Sequence, residues 1–363
     1  MGLSYKKINL PSFLKDYQGN IADSAFFELT PIWLGATAEY VLPEQSLVQV
    51  HCLFELSDNH QEKLLIAWPL VHESTSKNQT IIRSLTSFYS AVTAPFLMTD
   101  SASTKKIDDG KVQTQLLTLL ANIKKNNTWQ QMFLGPLADD LSQLVSSHFS
   151  YAKTYAQADN WYHDNIADFN SYYQQRPSKL KNTIKRKQKK LTKASNYHTH
   201  IVSTEVEFLQ FFPAYQAIYQ ASWKGDEYSF TFIKQVCLQA IKHNKLRMGL
   251  LFIDDKPVAM QLWFVQCQTA SIFKLAYDPQ YQQYSVGSIL SMALSEHVIE
   301  QDKVSCIEFG MGGEAYKQDW MNEKRQRVTL QVFNERSLLG TLLAVRYMLS
   351  AKIKTLLSRK NKG

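Results

Sequence analysis

Two stretches of this 363-residue sequence carry residue types and spacings suited to group transfer. The first is YDPQYQQYSVGSILSMAL, in which Gln282, Ser285 and Gly287 stand at the spacing Q-x-x-S-x-G just before a helix-like run. The first-turn N–H groups of a helix lack partners and its dipole is positive there. Successive amides can therefore hold a pyrophosphate, and the small residues Ser285, Gly287 and Ser288 would let it approach. The same Ser-x-Gly also serves as an ordinary N-cap, so its placement after a strand counts for more than the pattern. The second stretch is IEFGMGGEAYKQDW. Here Gly310, Gly312 and Gly313 make a strand end pliable, and Glu308, Glu314, Tyr316, Lys317 and Asp319 crowd ionisable groups into twelve residues. Attack of an amine on a thioester needs a base for the ammonium proton, a stabiliser for the oxyanion and a donor for the leaving thiolate. Glu308 could act as base, Tyr316 as acid and Lys317 as cation, with Asp278, Glu314 and Asp319 as alternative carboxylates. A glycine turn opening an amphipathic helix is the plainer alternative.

A third candidate is ASWKGDEYSF, where Trp223 and Lys224 end a helix-like run and could contact a ligand; Trp223 could equally plug a core. His198 and His200 would project to one side of a strand, but no third metal ligand lies near them in sequence. The four cysteines, Cys52, Cys237, Cys267 and Cys306, are scattered singly and read as structural thiols. Walker A, GxSxG and HExxH patterns do not occur, which removes ordinary P-loop, α/β-hydrolase and zincin readings.

The elements that must position these residues follow from periodicity. SLVQVHCLFEL and EKLLIAWPLVHE flank a turn and predict a hairpin, followed by a strand at Gln79–Phe88, a helix at Lys111–Lys125, a strand at Thr128–Gly135 and a helix at Asp140–His148. The second half repeats the order with clearer signals. TEVEFLQFFPAYQAIYQASW opens with Thr204 and Glu207 in capping-box spacing, and a helix follows at Ser229–His243. LRMGLLFI and VAMQLWFV then make a hairpin, SIFKLAYD a third strand, VGSILSMALSEHVIEQ a helix, SCIEF a strand, and Arg325–Phe333 the closing strand. The order α-α-β-β-β-loop-α-β-loop-β thus occurs once clearly and once less clearly, which predicts a structural duplication with its boundary near 150–175.

A hydrophobic content of 45% and an aromatic content of 12% exclude a disordered chain. No run of 18 apolar residues appears and the N-terminus lacks a signal-peptide core, so the expectation is a cytoplasmic protein. The net charge of +8 is unevenly spread. Nine basic residues and no acid lie between Arg176 and Lys193, six more and no acid lie between Arg346 and Gly363, and the rest of the chain is left at −7. RPSKLKNTIKRKQKKLTK places Leu180, Ile184 and Leu191 on one helical stripe, with Ser178 as its expected cap and lysines on the remaining surface. That surface is either a solvated face or one turned to phosphate, anionic lipid or RNA. The tail reads as a basic amphipathic helix, able to lie on an anionic membrane or to pack on the body.

The basic helix, ASWKG, DDKPVAMQLWF, FKLAYDPQYQQYSVGSIL and EFGMGGEAYKQDW occur in one order over residues 160–335. In that order they resemble the GNAT-superfamily acetyltransferase domain of CelD-type polysaccharide-biosynthesis proteins, which is similar to the FemA/FemB/FemX aminoacyltransferases. The resemblance implies an α/β (α+β) architecture of tandem GNAT-like folds, each a mixed, mostly antiparallel sheet flanked by helices. The implied domains are a degenerate one at 1–160, a catalytic one at 161–340 and a basic C-terminal helix at 341–363. It implies acyl-CoA (acetyl-CoA) as co-substrate, no metal, and N-acyl transfer to an amine of a sugar, polysaccharide or cell-envelope precursor. The site expected from it holds the CoA through Ala276, Tyr277, Gln282, Ser285, Val286, Gly287 and Ser288, and the substrate through Trp223, Lys224, Arg186 and Asp319. GNAT loops usually have Gly where Ser285 stands, and relatives of this branch show S-P-G where this chain has Ser285, Val286 and Gly287. The alternatives are a Fem-like transferase taking its acyl group from aminoacyl-tRNA, or a non-catalytic membrane-associated or RNA-binding module. Location on the inner face of the membrane is the expectation that accompanies the basic tail.

Overall fold

The computed structural model describes residues 2–59, 61–75, 79–99, 109–125 and 128–360, the last ten as backbone. In chain order the elements are β1 (Gly2–Asn9), α1 (Leu10–Tyr17), α2 (Pro31–Tyr40), β2 (Leu47–Leu56), β3 (Glu62–Ser74), β4 (Thr80–Ser84), β5 (Phe96–Leu97), α3 (Gly110–Lys125), β6 (Gln131–Leu137), α4 (Asp139–Ser146) and β7 (Ala152–His163). They continue with α5 (Phe169–Gln174), α6 (Ser178–Ala194), β8 (Tyr197–Val202), α7 (Glu205–Ala221), α8 (Phe230–Lys242), β9 (Leu246–Ile253), β10 (Lys256–Gln266) and β11 (Thr269–Tyr277). The chain ends with α9 (Val286–Glu300), β12 (Cys306–Met311), β13 (Glu323–Phe333) and α10 (Leu338–Lys360).

These elements form two units, one of residues 1–22, 42–157 and 326–363, the other of residues 23–41 and 158–325. In the first unit the strand order is β1-β2-β3-β4-β6-β13, with β5 beside β3. All of these neighbours run antiparallel except β4 and β6, which α3 separates in the chain and which pair in parallel. A connection that returns parallel needs a crossover, and the helix supplies it. Apolar residues of α3 (Leu116, Leu119, Leu120, Ile123) pack with Trp68, Ile82, Met132 and Leu330 in this unit's core.

The second unit repeats the plan. Its order is β8-β9-β10-β11-β12-β7, antiparallel throughout except β11 with β12, the pair that α9 separates in the chain. Leu290, Leu294 and Val298 of α9 pack against Leu251, Ala259 and Trp263 of the sheet. Phe264 instead stacks on Phe27 at 4.2 Å and meets Trp33 of α2 edge-on, and Trp33 in turn meets Phe232 of α8. The expected duplication is therefore present: in each unit the strands are mixed and mostly antiparallel, and helices flank them.

A cut at 160 does not reproduce the two units. Residues 23–41, expected in the first domain, pack in the second unit, and residues 326–340, expected in the second, belong to the first. Each unit gains its last strand from elsewhere in the chain: β7 pairs with β12 through His163, Tyr162 and Asn160, and β13 pairs with β6 from Val328 to Phe333. Element order cannot reveal such an exchange. The capping box on α7 is present, with Thr204 Oγ1 accepting from the Glu207 N–H at 3.2 Å. Ser178, in contrast, is the first residue of α6 and caps nothing; extended Pro177 precedes the helix without a side-chain cap. No helix among the described residues is long and apolar enough to cross a membrane.

Candidate active site

Strands β11 and β12 pair over three positions only, Thr269 with Cys306, Ala270 with Ile307 and Ser271 with Glu308. Beyond Ser271, β11 continues along β10 to Tyr277, where Ala276 faces Met260 and Tyr277 faces Ala259. The two parallel strands thus part at Ser271 and Glu308, and the segments with candidate chemistry lie after that point.

Past Tyr277 the chain makes a short 3-10 turn, Pro279–Tyr284, whose start is capped by Asp278 accepting from the Gln280 N–H at 3.0 Å. Ser285 then adopts a left-handed conformation, φ 54° and ψ 43°, and serves as N-cap of α9 with no side-chain capping bond. A non-glycine residue pays for that geometry, which is why glycine suits this position. The first turn of α9 is consequently presented without the side-chain cap seen on α7 and α8. Gln261 of β10 steadies it by donating from Nε2 to the Gly287 carbonyl at 3.1 Å and to Ser291 Oγ at 2.8 Å, while Trp263 Nε1 donates to Gln261 Oε1 at 2.8 Å. Val286 is buried, and a Cβ on Gly287 would come within 3.2 Å of the Tyr277 ring. Gln282 is exposed, and Ser288 is half-buried in the first turn of α9.

Five charged side chains gather from three other segments. Lys274 of β11 forms an ion pair with Glu227 of the α7–α8 loop at 2.7 Å, with side chains 8% and 1% exposed. Trp223 of that loop is 55% exposed, so it is no core plug; its ring lies tilted 4.7 Å from Tyr277. Lys224 beside it is exposed as a residue, yet protein surrounds its ammonium. This desolvation and the charge of Lys274 lower its pKa to about 8, with Lys317 adding to the effect and Glu314 and Glu227 opposing it. Lys317, after β12, is buried, donates to the Met311 carbonyl at 2.6 Å and pairs with Glu314 at 3.0 Å. Gly312 has φ +133°, and a Cβ there would strike Glu314 and approach Lys317 Nζ to 2.8 Å, so the glycine allows the lysine its place. Tyr316 packs edge-on against Phe309 at 5.5 Å, and burial, followed by the charge of Glu314, pushes its hydroxyl up to about 12. Asp319 is half-buried at the end of the same turn.

Glu308 has a different environment from the one expected of a base. It is buried, with one carboxylate oxygen held by Arg325 Nη2 and the other accepting from Asn160 Nδ2 at 3.0 Å. Arg325 also donates from Nε to Asn160 Oδ1 at 2.9 Å and stacks over Tyr162. The carboxylate is therefore engaged in fixing β7 against β12.

The basic helix α6 buries Leu180, Ile184 and Leu191, as its periodicity predicts. It lies against the turn before Ser285: Lys187 Nζ donates to the Gln283 carbonyl, and Lys190 Nζ donates to Gln283 Oε1 at 3.1 Å and sits over the Tyr284 ring. Arg186 is exposed on the same helix. A cleft of about 460 Å³ opens beside this turn, lined in part by Lys256, Tyr281, Gln283 and Tyr284. His198 stacks on Phe252, and His200 lies 3.2 Å from Glu207. Burial pushes the thiols of Cys52 and Cys306 up to about 12.

Sequence reading missed Gln261, Lys274, Glu227 and Arg325. A lysine inside the apolar run SIFKLAYD was a signal, because a lone charge in a buried strand requires a partner; the sequence does not say which one.

Residues 178–318, from α6 to the turn bearing Lys317, match the family described as Acetyltransferase (GNAT) domain. No curated protein matches the sequence. Among solved structures, FemX is 8% identical with a TM-score of 0.62, covering 94% of this chain and 100% of its own. L-PGS from Bacillus licheniformis is 12% identical with a TM-score of 0.51, over 94% of this chain and 96% of its own. The C-terminal domain (DUF2156) of a putative lysylphosphatidylglycerol synthetase from Agrobacterium fabrum is 10% identical with a TM-score of 0.52, over 90% of each chain. At such identities the likeness is one of fold. The chain has a GNAT-like fold, and residues 178–318 carry a GNAT domain, which supports an N-acyltransferase.

Proposed function

We propose that the chain is an N-acyltransferase of the CelD-like kind, moving an acyl group, acetyl in the simplest case, from acyl-CoA to an amine of a sugar, polysaccharide or envelope precursor. The observation that carries this reading is the uncapped first turn of α9, opened by left-handed Ser285 just beyond the point where β11 and β12 part. Unpartnered amides at a helix N-terminus suit a pyrophosphate, and Ser285, Gly287 and Ser288 leave it room. Gln282, Val286, Ala276 and Tyr277 frame the same junction, and the backbone of β11 after Ser271 is the natural rail for the rest of the donor.

In this reading the acceptor amine approaches from the lysine cluster. Its nitrogen bonds to the acyl carbon, the carbon–sulfur bond breaks, and the thiolate takes a proton from the Tyr316 hydroxyl. Lys317 faces the developing negative charge. The ammonium first gives one proton to Lys224, whose lowered pKa leaves a neutral fraction near neutrality, and the second proton, shed by the nitrogen as the amide forms, returns to the Tyr316 phenolate. Glu308 acts as a positioning residue, since Arg325 and Asn160 occupy its carboxylate. Trp223, Asp319 and Arg186 remain candidate contacts to the acceptor.

Titration with acetyl-CoA and CoA tests the donor, using wild type and Ser288→Glu, which sets a carboxylate in the first turn of α9. Ser288 is preferable to Gly287, where any side chain presses on Tyr277. Micromolar binding lost in the variant supports the reading; absence of binding to wild type overturns the acyl-CoA donor.

A second reading is favoured by one observation. Lys187 and Lys190 anchor the basic face of α6 at the turn before Ser285, where the phosphates of an aminoacyl-tRNA would find cations beside the donor site. FemX and L-PGS share the fold. Transfer that requires charged tRNA and weakens steeply with salt would establish this donor instead.

A further inference from the structure

Helix α10 has two opposed faces in the first unit. One is docked: Ala344 is buried, and a Cβ on Gly340 would lie only 3.1 Å from the Gln130 carbonyl and closer still to that of Asn334. Tyr347 on the same row shares a hydroxyl contact of 2.7 Å with Tyr155, which donates to Gln331 Oε1 at 2.8 Å, and Lys153 donates to Tyr347. The spacing i, i+4, i+7 of these three residues places them on one side of the helix. The other face carries Leu338, Leu342, Val345 and Leu349, spaced i, i+4, i+7, i+11 and half a turn away, with exposures of 88%, 65%, 40% and 55%. In the sequence, Ile353 and Leu356 continue that spacing.

An apolar row of this length left in water marks a surface that is covered by something. Its chemistry selects the occupant. From Arg346 to Gly363 the chain holds six Lys or Arg and no acid, so the helix pairs an apolar stripe with cations. A second copy would bring the same positive charge against itself, whereas an anionic bilayer offers hydrocarbon for the leucines and phosphate for the lysines at once.

We infer that α10 lies flat on an anionic lipid surface with Leu338, Leu342, Val345 and Leu349 inserted, the net positive charge of the segment supplying the preference for anionic headgroups. The Gly340–Ala344–Tyr347 row would keep the enzyme body attached above it. The inference is independent of the donor and acceptor, and its test does not read activity.

Full-length protein is floated with phosphatidylcholine vesicles and with vesicles containing one third phosphatidylglycerol. Wild type should float with the anionic vesicles and at least tenfold less with the neutral ones. Leu342→Glu/Leu349→Glu should lose binding at least tenfold with its melting temperature unchanged, because both side chains face solvent, and Lys352→Glu/Arg359→Glu, each i+14 from a residue of the exposed row, should lose the preference for anionic lipid. Failure of wild type to float, equal flotation of the leucine variant, or a dimer that the leucine variant dissolves would overturn the proposal; the last would assign the face to contact between copies.

Discussion

Lys274 Nζ lies 2.7 Å from Glu227 Oε2, joining the middle of β11 to the loop between α7 and α8 in a pair whose side chains are almost wholly buried. Tyr219 of α7 also hydrogen-bonds Glu227 and its ring lies beneath Lys274 Nζ at 5.4 Å, so one carboxylate ties helix, loop and strand together. The loop fixed in this way carries Trp223 and Lys224. Removing one partner leaves a buried uncompensated charge, and Glu227→Gln or Lys274→Met should each cost about 3–5 kcal/mol. Glu227→Leu/Lys274→Met should recover most of that loss. A double-mutant cycle by denaturant unfolding checks both expectations.

Lys224 responds to pH in a direction set by its surroundings. Its folded pKa of about 8 lies below the ordinary 10.5, so between those values the unfolded chain binds more protons than the folded one and stability rises with pH. Below pH 8 the desolvated cation is a constant penalty. Lys224→Met should leave the melting temperature at pH 7 equal or higher while turnover falls at least tenfold and the rise of rate around pH 8 disappears. Parallel loss of stability and activity would remove the role of proton acceptor.

Ser285 pays for a left-handed backbone that glycine adopts freely. Ser285→Gly should stabilise the protein by about 1 kcal/mol and keep or improve donor binding. Ser285→Val should do the reverse, since a β-branched side chain tolerates this geometry worst. Thermal unfolding alongside donor titration checks the pair.

Glu308→Gln separates two roles. With its carboxylate held by Arg325 and Asn160, the substitution should destabilise by about 3–5 kcal/mol by leaving the guanidinium half-paired, and the shape of the pH–rate profile should stay as in wild type. Loss of the acid limb of that profile would instead identify a base.

A histidine pair makes the first unit acid-sensitive. His51 Nε2 and His72 Nε2 lie 2.9 Å apart, and Tyr5 OH contacts His51 Nδ1 at 2.6 Å, an arrangement that has room for one proton between the two rings and so opposes charging both. Burial lowers His72 to about 4 and His51 well below 6.5. Above pH 6.5 both states are deprotonated; as pH falls toward 4 the unfolded chain takes up protons the folded one refuses, and stability is lost. The melting temperature should drop across this window, and His72→Gln should flatten the slope.

Much of the second unit was legible because its signals are local. The Thr204–Glu207 box, the DDKP hairpin, the strand-to-helix junction at Ser285 and the stripe Leu180–Ile184–Leu191 depend on residues within a few turns of each other, where propensity and periodicity act. Ser178 was misplaced by one residue, because the extended proline before it takes the boundary. The strand β1 and the exchange of the closing strands β7 and β13 left no such trace.

The sequence alone determined that a small-residue loop opens a helix after a third strand, and that a charged segment follows the next one, because steric freedom and the helix repeat are properties of short stretches. Only the tertiary structure decided which charges meet. Lys274 pairs with Glu227 across 47 positions and Arg325 binds Asn160 across 165. Burial makes these choices: a charge withdrawn from water must find its partner wherever the sheet brings one, and that partner is set by strand pairing rather than by distance along the chain.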